Sequence, residues 1–147
     1  MIQGSIFRNY YKTILTFIML TFISWSNVEI NVASQIPILS YHNVQTNPKK
    51  PSAYFISSVA FEKQIKHLKE NGYHTVLPDD IYNHYTKGTT LSEKPIMLSF
   101  DDTRKEHFNI VAQILEKYGY KGTFFIMTGA IGKKNYMTRS EIKMLSN

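Results

Sequence analysis

The sequence predicts an α/β protein built on parallel strands, and three observations carry that expectation. Short apolar runs alternate along the chain with stretches whose apolar residues recur at helical spacing, the pattern of repeated β/α units. A helix between two strands carries the chain back to where it began, so successive strands run parallel. The run PIMLSF at residues 95–100 is apolar without alternation, as a strand buried on both faces must be.

Composition is consistent with a packed domain. The 147 residues are 43% hydrophobic, 14% aromatic and only 19% charged, too apolar for a disordered tail. The absence of cysteine excludes a disulfide scaffold, a thiolate zinc site and a cysteine nucleophile. A complete β/α barrel typically takes about 250 residues, more than this chain supplies.

Taken in order, residues 36–41 (IPILSY) form the first expected strand, ending at His42. Residues 43–58 are polar and carry Pro48 and Pro51, so they read as a loop. Ser57 or Ser58 then caps a helix whose Phe61, Ile65 and Leu68 share one face, with Gly72 closing it. Residues 74–77 are strand-like, and Asp79 or Asp80 can cap a short helix ending near Gly88. After the buried strand 95–100, a helix over 104–118 presents Phe108, Val111, Leu115 and Tyr118 and stops at Gly119. Residues 122–127 (GTFFIM) make a fourth strand. Thr138 and Glu141 have capping-box spacing and open a last helix carrying Ile142 and Leu145.

The first 33 residues stand apart from this pattern. Arg8 and Lys12 precede the apolar run TILTFIMLTFISW, and Val32-Ala33-Ser34 offers small residues for processing, so 1–33 reads as a secretory signal. The rival is an uncleaved N-terminal anchor over 13–28, although that run falls short of the about 20 residues needed to span a bilayer. Either reading places the remainder, 34–147, outside the cell or in its envelope. The net charge of +6 raises the question of nucleic acid. The lysines are dispersed, however, and Lys63, Lys66 and Lys69 fall opposite an apolar helix face, as solvated residues do. No nucleic-acid partner is expected, and membrane contact only through the leader.

Chemistry-bearing groups collect where strands end, the rim at which parallel β/α folds place function. His42 follows the first strand, and Asp101 and Asp102 follow the buried one. One aspartate suffices to cap the helix behind it. A second carboxylate there calls for a cation or a proton-transfer role. The five histidines are 25, 7, 10 and 23 residues apart, so none forms a short-range ligand pair.

The segments Pro37–Val44, Phe61–Tyr73 and Ile96–Asp102 together resemble a polysaccharide deacetylase of the NodB-homology type. The Tyr41-His42-Asn43-Val44 opening is most similar to the poly-N-acetylglucosamine deacetylase branch. Ser99-Phe100-Asp101-Asp102-Thr103 matches the family's first motif, and Gly122-Thr123-Phe124-Phe125 its next strand. The resemblance covers about residues 36–147. It implies a distorted parallel β/α barrel of which this chain supplies the N-terminal portion. It further implies removal of N-acetyl groups from a polysaccharide with N-acetylated sugars, Asp101 as general base, and Asp102 as ligand of a divalent metal, zinc in many members. His42 and Thr103 become candidates to touch substrate or to support those two. Thr103 replaces the family's usual glycine, so a positive φ there would be costly. The family's remaining ligands, a His-x-x-x-His pair, have no counterpart in the sequence. The alternative expectation is therefore a secreted, non-catalytic carbohydrate-binding domain or pseudoenzyme.

Overall fold

The computed structural model describes residues 35–47, 52 and 54–146, and its architecture is organised around one strand. That strand, Pro95–Phe100, has the expected bounds. Ile96, Leu98 and Phe100 meet the helical layer while Met97 and Ser99 are buried on the opposite face. The other elements fall into place beside it. In chain order they are β1 (Ile38–Tyr41), β2 (Asn43–Gln45), β3 (Phe55–Ser57), α1 (Ser58–Glu70), β4 (His74–Thr75) and α2 (Pro78–Lys87). Then follow β5, the central strand, and a π-helical turn at His107–Val111 continued by α3 (Ala112–Tyr118). After these come β6 (Thr123–Phe124), a 3-10 turn at Thr128–Ala130 and α4 (Arg139–Leu145).

Every named strand pair is parallel, as the β/α alternation requires. β1 lies along one edge of β5, from Ile38 opposite Met97 to Tyr41 opposite Phe100. The other edge is shared. β4 pairs Pro95 and Ile96, and β6 pairs Ser99 and Phe100. Across the sheet, Ser40 and Ser99 hydroxyls meet at 2.6 Å. Phe61, Ile65 and Leu68 of α1 and Val111 and Leu115 of the third helical segment pack against Ile96, Leu98 and Phe100 to form the core.

Local chemistry explains most boundaries. Ser57 caps α1, its hydroxyl accepting from the Ala60 amide at 3.1 Å. In α4 the capping box is complete, Thr138 accepting from the Glu141 amide and the Glu141 carboxylate accepting from the Thr138 amide. Lys105 donates to Glu141 and fastens this helix to the segment that follows β5.

The structure corrects the sequence expectations at four places. The loop expected over 43–58 contains β2 and β3, which pair with each other through contacts that no local pattern announces. Asn43 drives this, because it is buried and both its backbone and side-chain amides donate to the Tyr54 carbonyl. The cap of α2 is Leu77, and Asp80 reaches back to its amide at 2.8 Å. The strands expected at 36–41, 74–77 and 122–127 are shorter. The helix expected over 104–118 is widened by the π turn. Its buried face is consequently His107, Val111 and Leu115, with Phe108 only partly covered. The leader or anchor expected over 1–33 lies outside the described residues. Among the described residues no helix is long and apolar enough to cross a membrane.

Two predictions follow from this packing. Gly122 allows the closest backbone approach: a Cβ there would lie 2.7 Å from Phe100 Cε2 and 2.9 Å from Leu115 Cδ1. Phe100 is fully buried between Tyr41 and Phe124 and cannot step aside. Gly122→Ala should therefore cost about 1–3 kcal/mol, the range for overpacking, measured as a lowered urea midpoint at unchanged slope. The second concerns acid. Lys105, with the Thr138 amide, holds the Glu141 carboxyl down at about 2. A folded value below the unfolded one stabilises at pH above about 4.5, and the contribution is lost as pH falls toward 2. Glu141→Gln should flatten the acid limb of stability between those values, read by circular dichroism.

Candidate active site

The site grows out of the last residue pair of the sheet. Tyr41 and Phe100 end their strands side by side, and their rings stack at 5.5 Å. The Asp101 amide then donates to the Tyr41 carbonyl at 3.0 Å, which places Asp101 next to His42. His42 Nδ1 lies 3.5 Å from Asp101 Oδ2, within ion-pair reach though not aligned as a hydrogen bond. Both side chains are about one-third exposed, at 32% and 34%, so the pair faces solvent from a supported position. The His42 ring stacks on Tyr54 at 5.3 Å. A cleft of about 490 Å³ opens here, walled by His42, Tyr54, Tyr41, Asn43 and Gln64. A second hollow of about 540 Å³ lies between β1 and α1.

Asp102 and Thr103 make the turn that leaves β5. Their φ values are +74° and +55°, both in the left-handed region. Such a conformation is unusual for any residue with a side chain and more so for a β-branched threonine. Thr103 is fully buried, so it stands behind the site and does not face the cleft. Its hydroxyl accepts from the Met127 amide at 2.5 Å, and its carbonyl accepts from the Met137 amide at 3.0 Å. These two contacts hold the strained turn against the segment after β6.

The helix-capping explanation for the paired aspartates loses its basis. Among the described residues, neither carboxylate accepts a hydrogen bond from the helix that follows, and the amide of His107 donates to the Arg104 carbonyl instead. Neither carboxylate is committed to that helix, and Asp101 instead faces His42. A complete metal centre is another matter. Zinc takes at least three protein donors, and among the described residues no group of three His, Cys, Asp or Glu side chains converges. Asp102 alone does not constitute a site.

His107 is the residue that sequence reasoning placed on a helix without assigning it work. It is fully buried, its Nε2 lies 2.8 Å from the His42 carbonyl oxygen, and its ring packs on Phe100 and Phe124. Burial pushes its imidazole below the ordinary histidine range, opposed by that hydrogen bond and by nearby Glu106 and Asp102. The available signal was a polar residue at i, i+4 and i+8 with Val111 and Leu115. It was masked because Phe108 fits an unbroken helix better.

Comparison with known proteins agrees with the fold. A family model described as polysaccharide deacetylase matches residues 88–146. The chain is 29% identical over 111 residues to poly-beta-1,6-N-acetyl-D-glucosamine N-deacetylase of Staphylococcus aureus, covering 67% of this chain and 38% of that protein. It is equally 29% identical over 113 residues to YxkH of Bacillus subtilis, covering 77% and 39%. Among solved structures it is similar to the Streptococcus pyogenes deacetylase PplD, with a TM-score of 0.69 and 26% identity over 76% of this chain and 51% of that one. IcaB from Ammonifex degensii shares the fold at a TM-score of 0.66 and 24% identity, covering 76% and 48%. The chain thus spans about two-fifths of the length of these curated relatives and about half of these solved chains. The motif at the end of β5, the parallel sheet that presents it and these likenesses converge on one resemblance: over residues 88–146 the chain is similar to polysaccharide deacetylases.

Proposed function

We propose that this chain carries the base-bearing part of a hydrolase that removes N-acetyl groups from an N-acetylglucosamine-type polysaccharide. The observation that carries the proposal is the pair of uncapped carboxylates at the end of β5, with Asp101 partly exposed beside His42, a residue that lines an open cleft. Amide hydrolysis needs a water made nucleophilic as it attacks, and a carboxylate within reach of that water accepts the proton. Asp101 is partly exposed and backed by a rigid strand, so it is suited to that role. As water adds to the acetamide carbon its proton passes to Asp101. Collapse of the adduct breaks the C–N bond, frees acetate and leaves the amine to take up the proton that Asp101 holds. The relatives support the substrate class. One is named for poly-beta-1,6-N-acetyl-D-glucosamine, and the PplD structure is a complex with acetate.

Asp102 is proposed as one ligand of a divalent metal, zinc by resemblance, and the described residues do not complete its coordination. The chemistry assigned to them is therefore proton transfer and positioning. Thr103 acts from behind by holding the turn, and His42 lines the cleft. Residues 1–33 are proposed as an export leader or anchor that delivers the domain to the cell envelope, where such polymers lie. Peptide sequencing of the exported protein separates the two, since cleavage should leave a new N-terminus near Ser34.

Two measurements test the reading. The 147-residue chain should bind zinc weakly in calorimetric titration. Tight one-to-one binding that Asp102→Ala abolishes would show that the donor set is complete after all. In any longer form of this protein that deacetylates an N-acetylglucosamine oligomer, Asp101→Asn should lower kcat by about 10²–10⁴-fold, the usual contribution of a positioned base. Unchanged kcat in that variant would favour the non-catalytic, carbohydrate-binding alternative.

A further inference from the structure

We propose that His107 is a positioning residue: by donating from Nε2 to the His42 carbonyl, it fixes the peptide that turns the chain from β1 into β2 and so sets the His42 ring against Asp101. The hydrogen bond is 2.8 Å long and joins residues 65 positions apart. Its direction is dictated by chemistry. A carbonyl oxygen only accepts, so Nε2 must carry the proton. Nδ1 is buried without a partner among the described residues. An unpartnered buried acceptor is tolerated better than an unpartnered buried N–H, so the ring is neutral with its single proton on Nε2.

The placement of this donor is built into the fold. The amide of Ala112 donates to the His107 carbonyl, the five-residue spacing of a π turn, and such turns frequently occur at functional sites. Widening the helix by one residue turns His107 inward together with Val111 and Leu115. The ring is then wedged against Phe100 and Phe124, the residues that end β5 and β6. Two successive carbonyls at the end of β1 are thereby tied to the segment that bears the aspartates. The Asp101 amide holds that of Tyr41, and His107 holds that of His42. With both fixed, the His42 side chain has a set origin. It lies between Tyr54, on which it stacks, and Asp101. The inference rests on the deacetylase reading only in treating Asp101 as the base.

The test reads the histidines directly in the 147-residue chain, independently of catalysis. Long-range proton–nitrogen NMR correlation should show the His107 ring neutral at pH 7 with Nε2 protonated and Nδ1 bare. A proton on Nδ1 alone, or on both nitrogens, would overturn the proposal. In the wild type, His42 ring protons should give cross-relaxation to the Tyr54 ring. His107→Leu keeps volume without a donor and should abolish that contact and shift the His42 ring signals. His107→Gln places an amide N–H at about the same reach and should restore both. A Leu variant that keeps its overall amide spectrum with His42 unmoved refutes the assignment. If the Leu variant does not fold, the Gln variant decides: wild-type His42 signals support the proposal, and displaced signals in a folded Gln variant refute it.

Discussion

Phe100 is the residue on which the rest of this structure depends. It ends β5, a strand buried on both faces, and its ring is stacked between Tyr41 and Phe124 while Phe61 and His107 meet it edge-on. Its neighbours in register, Tyr41 and Phe124, end β1 and β6. Three parallel strands therefore stop at one aromatic layer, and the next residue along the central strand is Asp101. Aromatic packing of this kind is worth about 0.5–1.5 kcal/mol per pair beyond the area it buries. Its larger consequence is geometric. A close-packed layer leaves the following carboxylate little freedom, a restriction from which the base proposed at Asp101 would gain.

Much of this was legible in the chain. The unbroken apolar run of β5 and the i, i+4, i+7 spacing of Phe61, Ile65 and Leu68 are local signals, and the structure places these elements where they indicate. The capping box at Thr138 and Glu141 is local as well. What escaped was set by distant partners. β2 and β3 are three residues each, and they hold together because Asn43 finds the Tyr54 carbonyl across a segment whose composition reads as loop. The π turn was hidden because Phe108 fits an α-helical stripe, whereas space beneath Phe100 and Phe124 and the His42 carbonyl favour His107 there.

The candidate site shows the same division. That two carboxylates and a histidine share one rim follows from strand order alone, since parallel strands bring their C-terminal ends together. That Asp101 meets His42 at 3.5 Å depends on the register of β1 against β5, fixed by Tyr41 opposite Phe100. A slip of one residue would turn alternate side chains to the other face and separate them. The role of Thr103 was harder to see, because its usefulness lies in an amide and a carbonyl contact to residues 24 and 34 positions later.

The turn at Asp102 and Thr103 resolves a conflict between strand geometry and chemistry. In an extended chain successive side chains point to opposite faces, so adjacent aspartates on a strand cannot serve one site. Two consecutive left-handed residues break that alternation immediately after Asp101. Glycine would adopt either position more cheaply, but it would leave the Met127 amide without the hydroxyl that now accepts from it. The left-handed conformation of a non-glycine residue costs about 1–3 kcal/mol, and the hydrogen bond to Met127 offsets part of it. Threonine accepts backbone strain in return for a fixed contact. It thereby ties the aspartate turn to the chain beyond β6, a link that glycine at this position could not make.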